Sequence, residues 1–232
     1  MSANLAKINA ATAALSYVKD GMALGLGTGS TASHFVRLLG ERVRQGLNVR
    51  ATPTSERTRA LAEQAGVPLV SVDAIGRIDL TVDGADEIDP HFRMIKGGGG
   101  ALLREKIVAS ASTHMLVITD ESKAVETLGA FPLPVEVTQF GFTLTSDKIY
   151  ATLKRTGCAG AEITLRETPD GKPFITDGGN YIFDAHAKRI PEPDLLSDAL
   201  NQIVGVVEHG LFIGLAGTLI LGKEKGVEIT ER

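Results

Sequence analysis

Apolar positions along the chain recur first at helical spacing and then in short uninterrupted runs. Leu5, Ile8, Leu15 and Val18 mark one face of a first helix, closed by Asp20-Gly21. The run MALGL (Met22 to Leu26) predicts a short buried strand. It leads into GTGST (Gly27 to Thr31) and a helix to about Arg44. The alternation then continues. LNVRA predicts a second strand, SERTRALAEQAG a helix closed by Gly66, VPLVSV a third strand and IDLTV (Ile78 to Val82) a core strand. Beyond a glycine run, ALLREKIVAS predicts a helix and HMLVITD (His114 to Asp120) another buried strand. Strands alternating with helices imply an α/β fold, its sheet mostly parallel and covered on both faces.

After FPLPV (Phe131 to Val135) the pattern changes. PLPVEV predicts a strand, TSDKIYATLKRTG a helix ended by Gly157, and AEITLRE an alternating strand. A TPDGKP turn returns the chain into FITDGGNYIFDAHA. PDLLSDALNQIVG then predicts a helix and VVEHGLF a strand. The order β-α-β-β-α-β is that of a ferredoxin-like unit. Residues 133–207 are therefore expected to form a smaller α+β domain, with 1–132 and 208–232 forming the main one.

Composition narrows the class. A chain of 232 residues suits a main domain with a small companion, and 43% hydrophobic with 22% charged residues is ordinary for a globular protein. The net charge of −4 argues against a nucleic-acid partner. Cys158 is the single cysteine, so no intrachain disulfide forms. The N-terminus lacks a basic region followed by an apolar core, and GLFIGLAGTLILG (Gly210 to Gly222) is too short and glycine-broken to span a bilayer. A cytoplasmic protein with no membrane partner is expected.

The densest chemistry lies between Asp83 and Lys106, DGADEIDPHFRMIKGGGGALLREK. Asp83, Asp86, Glu87 and Asp89 crowd into seven positions, and Gly97 to Gly100 follow Lys96. Asp-Gly is also an ordinary turn signal, and four glycines can be a flexible linker. A linker, however, does not usually join a buried strand to an amphipathic helix. Asp83 stands at the carboxyl end of a core strand, where open α/β sheets place their ligands. Glu105 shares a helical stripe with Leu102 and Ala109. A lone Glu there is more often a boundary residue than a buried one. Burial and like charges raise a carboxyl pKa, and a raised pKa suits a general base near neutral pH. Carboxylates, a cation and a bare loop opening a helix can hold a small polar anion and move its protons.

The loop Gly27 to Thr31 has a similar character. Its backbone N–H groups and the hydroxyls of Thr28, Ser30 and Thr31 face a common point at a helix N-terminus, an anion site. It is not a dinucleotide fingerprint, because Ser30 takes the third glycine's place and NVRATPTS (Asn48 to Ser55) contains no acid. Nor is it a P-loop. An ordinary strand-to-helix turn remains the plain reading. Lys123 follows a strand end and by itself reads as a solvated charge. The five histidines show no metal-ligand pairing, which with one cysteine disfavours zinc. Mg²⁺ on the acidic cluster is disfavoured because Lys96 competes for the carboxylates. No metal is expected.

These motifs resemble the type A ribose-5-phosphate isomerase family: GLGTGSTASHF, DGADEID, KGGGGALLREK, FPLPVEV, TDGGN and GLF, over essentially the whole chain. The resemblance implies interconversion of ribose 5-phosphate and ribulose 5-phosphate without metal or organic cofactor. It also implies a Rossmann-like domain, a smaller α+β domain, and a homodimer or homotetramer. Carried over by position, the proton acceptor falls on Glu105 and the other active-site polar residues on Asp83, Asp86 and Lys96. Substrate-binding segments fall on Thr28, Gly29, Ser30 and Thr31; on Asp83, Gly84, Ala85 and Asp86; on Lys96, Gly97, Gly98 and Gly99; and on Lys123. Whether Lys7 also reaches the phosphate is not legible. The stretches around Gly141 to Asp147 and Arg166 to Lys172 are less tightly patterned and are expected to bear on oligomer packing rather than chemistry. Two other classes share such a scaffold. An amino-sugar-phosphate deaminase would release ammonia. A sugar-phosphate sensor would need a DNA-binding element, for which the residues before the first strand are too few.

Overall fold

The computed structural model describes residues 2–232, which divide into two compact units. One takes in the chain to Ala85, Arg104–Ala124 and Leu215–Arg232; the other is Asp86–Leu103 with Val125–Gly214. The helices in chain order are α1 (Ser2–Ala14), α2 (Ser30–Arg44), α3 (Glu56–Ala65), α4 (Val72–Ile75), α5 (Leu102–Ser110), α6 (Phe142–Arg155) and α7 (Pro193–Asn201). The strands are β1 (Ala23–Leu26), β2 (Arg50–Pro53), β3 (Ile78–Asp83), β4 (Glu87–Ile88), β5 (Met94–Ile95), β6 (Ser112–Asp120), β7 (Leu133–Val137), β8 (Glu162–Leu165), β9 (Tyr181–His186), β10 (Val206–His209), β11 (Leu211–Phe212), β12 (Thr218–Lys223) and β13 (Gly226–Glu231).

The first unit is built on a six-stranded sheet ordered β13-β12-β6-β3-β1-β2. Every pairing is parallel except the β12–β13 hairpin at the edge. One face is closed by α1, α2 and α3, whose Ala10, Ala14, Phe35, Leu39 and Ala62 pack on Leu24, Leu26, Val82, Leu116 and Ile220. On the other face α5 presses so closely that a Cβ on Gly25 would stand 2.5 Å from Val108 Cγ1. β1 is buried at all four positions, as a parallel strand covered on both sides must be. Local signals set the ends of α3. The hydroxyl of Ser55 accepts from Thr58 N, and Gly66 closes the helix in the left-handed conformation at φ 77°.

The second unit holds an antiparallel sheet ordered β10-β7-β9-β8. Each strand–helix–strand unit, β7-α6-β8 and β9-α7-β10, is split by a strand of the other, which is the ferredoxin-like arrangement. Leu133, Val135 and Val137 on β7 and Phe183 and Ala185 on β9 bury against Ile149 and Leu153 of α6 and Leu196 and Leu200 of α7. The alternate residues of these strands, Pro134, Glu136 and Asp184, face away from the helices. A separate three-stranded sheet, β11-β5-β4, carries Lys96 just beyond β5.

Three local expectations change. VPLVSV is not a strand. Pro68 has no N–H to give a ladder, so pairing stops at one parallel bridge between Leu69 and Ala51, and Ser71 opens α4. VVEHGLF is not one strand but two, β10 and β11, in different sheets, with the break at Gly210. The compact units also divide elsewhere than at 132/133 and 207/208. Asp86–Leu103 and the stretches 125–132 and 208–214 go with the second unit.

Candidate active site

In the first unit the Gly27–Thr31 loop and Asp83 stand at the carboxyl ends of β1 and β3. Asp83 ends β3 and is fully buried. Its Oδ1 accepts from Thr28 N at 3.1 Å and Gly84 N at 2.7 Å, so the carboxylate ties the glycine loop after β1 to the turn after β3. Gly27 donates its N–H to Val82 O at 2.9 Å. A Cβ there would lie 2.0 Å from Asp83 Oδ1, so only glycine fits. Thr28 turns its hydroxyl into a cluster with Thr54 (2.9 Å), Ser55 (2.8 Å) and Thr58 (3.1 Å). Gly29, with φ 130°, is the N-cap of α2 and brings no side chain to the cap. Ser30 is exposed and Thr31 buried.

Glu105 lies in the first turn of α5 and is only 3% exposed. Leu102 and Ala109, on the same stripe, are buried as well. The less common of the two readings of this glutamate, a buried carboxylate, is therefore the one found. Lys123 ends a 3₁₀ turn after β6 rather than opening a helix. The turn is capped by Asp120, which accepts from Ser122 N at 3.0 Å. Lys7 Nζ stands 3.9 Å from Asp120 Oδ2.

The second unit holds the other cluster. Asp86 N donates to Ile95 O, and Asp86 Oδ2 accepts from Gly98 N at 2.7 Å. Lys96 is 2% exposed; its N–H donates to Gly210 O at 2.9 Å and its Nζ lies 5.5 Å from the centre of the Phe212 ring. The tetraglycine loop is a built structure and not a linker. Gly100 N donates to Gly97 O at 2.9 Å. Gly97 has φ 102°, and a Cβ on Gly98 would approach Asp86 Oδ1 to 2.7 Å.

Comparison with known proteins decides the lineage. The family model for ribose 5-phosphate isomerase A (phosphoriboisomerase A) matches residues 50–226. The chain belongs to the ribose 5-phosphate isomerase A family. A ribose-5-phosphate isomerase A from Nitrobacter hamburgensis is 57% identical to it over 232 residues, 100% of both chains. A solved D-ribose-5-phosphate isomerase in complex with phospho-erythronic acid is 38% identical, with a TM-score of 0.91 and 100% of each chain covered. The ribose 5-phosphate isomerase from Plasmodium falciparum is 35% identical, with a TM-score of 0.91 and 98% of each chain covered.

Within this member of the ribose 5-phosphate isomerase A family, the acidic cluster splits by task. Glu87 accepts from Gly129 N (2.7 Å) and Phe131 N (2.6 Å). Asp89 accepts from His91 N, Arg93 N and Arg93 Nε at 2.9, 3.0 and 2.7 Å. Both are buried struts of the chain path. Asp83 and Glu105 belong to the first unit with Gly27 to Thr31 and Lys123, whereas Asp86, Lys96 and Gly97 to Gly99 belong to the second. Sequence reading missed the hydroxyls of Thr54, Ser55 and Thr58, although the run TPTSERT hints at them. It also gave Arg166 no part in the site. Its guanidinium reaches the carbonyl of Gly97, and no local pattern announces a contact across 69 positions.

Proposed function

We propose that the chain interconverts D-ribose 5-phosphate and D-ribulose 5-phosphate by proton transfer through a cis-enediolate, as a step of the non-oxidative pentose phosphate pathway. The observation that carries this is the likeness to ribose-5-phosphate isomerase A over the full length of both chains. A solved relative holds phospho-erythronic acid, a phosphorylated sugar acid, which fits a site for a phosphorylated aldose. The family assignment favours isomerisation over amino-sugar deamination and over a sensor.

The substrate phosphate binds at Thr28 to Thr31, where the α2 N-terminus and its dipole favour an anion, with Lys123 as an outlying cation. Glu105 removes the proton from C2 of the aldose and returns it to C1. Its burial supports this role, since a desolvated carboxylate is a stronger base than a hydrated one. Lys96 and the N–H groups of Gly97 and Gly99 stabilise the enediolate oxygen, the Gly98 N–H being held by Asp86. Asp83 and Asp86 move protons between sugar oxygens and assist ring opening, and Gly84 and Ala85 line the turn that joins them. The working state is a homodimer, with a homotetramer as the alternative, in the cytoplasm.

Glu105→Gln tests the assignment. The amide keeps the shape but cannot take a proton, so kcat for ribose 5-phosphate falls about 10²–10⁴-fold while phosphate affinity persists. Exchange of the C2 proton with D₂O slows in parallel. Near wild-type isomerisation and exchange in a folded variant would make Glu105 a structural residue.

A further inference from the structure

Arg166 follows β8 on the face of the small sheet that turns away from its helices. Its Nε and Nη2 pair with both carboxylate oxygens of Asp184 on β9, at 2.8 and 2.5 Å. This two-point pair fixes the guanidinium plane, and the side chains are only 14% and 17% exposed. The remaining nitrogen, Nη1, donates to Gly97 O at 2.9 Å and Gly98 O at 3.3 Å. Phe174 walls the group, with its ring centre 5.9 Å from Arg166 Cζ, and its ring edge would meet a Cβ on Gly100 at 2.5 Å.

The consequence follows from peptide geometry. No peptide bond is cis among the described residues, so each C=O points opposite to the N–H of the same peptide. In the Gly97–Gly98 peptide, Arg166 holds the oxygen and Asp86 Oδ2 holds the N–H, at 2.7 Å. One plane is thus gripped from both ends by opposite charges. In the Gly98–Gly99 peptide, Arg166 holds the oxygen, which turns the Gly99 N–H away from the guanidinium. Gly98 and Gly99 are exposed.

We propose that Arg166, pinned by Asp184, is a positioning residue for the isomerisation: it sets the peptide planes of the tetraglycine loop so that the Gly99 N–H meets the developing enediolate oxygen. The proposal rests on the reading in which the loop's N–H groups stabilise that oxygen. Glycine peptides are the ones most free to flip, so such a donor needs an external hold, and a bidentate arginine supplies one that lysine cannot.

The test compares Arg166→Met, Arg166→Lys and Asp184→Asn with wild type on ribose 5-phosphate, with thermal melts recorded by circular dichroism. Arg166→Met is expected to lower kcat about 10–100-fold with KM changed less than about threefold, the split of an interaction made in the transition state. Arg166→Lys recovers little, because one ammonium cannot hold Asp184 and two carbonyls together. Asp184→Asn moves kcat the same way by a smaller factor. In a fourth variant, Arg166→Ala, millimolar guanidinium but not methylammonium raises turnover. A folded Arg166→Met with kcat within about twofold of wild type overturns the proposal, as does a rise in KM alone. If Arg166→Met does not fold, an unchanged kcat in Asp184→Asn overturns it. A wild type that does not convert ribose 5-phosphate sinks the functional reading and this inference together. A working wild type, an inactive Glu105→Gln and normal Arg166 variants sink only the inference.

Discussion

Gly27 shows how narrowly single positions are specified. The residue has an ordinary place at a strand end, yet its missing side chain is what lets Asp83 stand where it does. A Cβ would come within 2.0 Å of Oδ1 and 2.1 Å of Cγ of Asp83. Asp83 is buried and held by two N–H groups, so it cannot swing aside without losing them. Gly27→Ala is therefore expected to cost about 1–3 kcal/mol of stability through overpacking and to lower kcat/KM about 10²-fold through misplacement of the carboxylate. Urea unfolding and steady-state kinetics check the two effects separately, and a variant of wild-type stability and rate would show that Asp83 yields freely. Glu87 and Asp89 teach the converse. Both are acidic, buried and adjacent to the site in sequence, yet their oxygens are occupied by backbone donors and an arginine. Residue type alone did not separate them from Asp86.

Among elements, the corner between β10 and β11 matters most for Lys96. Gly210 donates to Pro134 O at 2.8 Å and accepts from Lys96 N at 2.9 Å, so one residue locks β7 to the strand end that carries the lysine. A Cβ on Gly210 would stand 2.3 Å from Lys96 O and 2.7 Å from Pro134 Cδ. Both are main-chain or ring atoms and cannot rotate away. Gly210→Ala is expected to shift Lys96, lowering kcat at least tenfold, on the order of what an ångström of misplacement does. An unaltered kcat would free the corner of that role. The periodicity of VVEHGLF suggested one continuous strand because Leu211 and Phe212 are as apolar as Val206 and Val207. Only the pairing partners, Ile95 and Met94 for one pair and β7 for the other, divide it.

On the scale of the molecule, Asp83 and Asp86 already accept from backbone N–H groups, and no group of three or more His, Cys, Asp or Glu among the described residues could hold a metal ion. Activity is expected to survive EDTA treatment and exhaustive dialysis. Loss of turnover restored by Mg²⁺ or Mn²⁺ would replace proton transfer with a metal-assisted hydride shift. No helix among the described residues is long and apolar enough to cross a membrane.

The strands β1, β3 and β6, the helices α2, α3, α5, α6 and α7, and the positions of Asp83, Lys96 and Glu105 were legible in the chain. Each is announced by nearest neighbours: an apolar run, a cap such as Ser55, a glycine such as Gly66, a motif read in order. The sequence also determined that Glu105 sits on a stripe with Leu102 and Ala109. Tertiary structure decided that this stripe is buried, that Pro68 stops a strand after one bridge, and that Thr28 shares its hydroxyl with Thr54, Ser55 and Thr58. It decided, too, that Arg166, pinned by Asp184, grips the glycine loop from a hairpin distant in sequence. The physical reason is range. Periodicity and capping are set within a few residues, whereas burial and the target of a long side chain depend on which strands lie side by side.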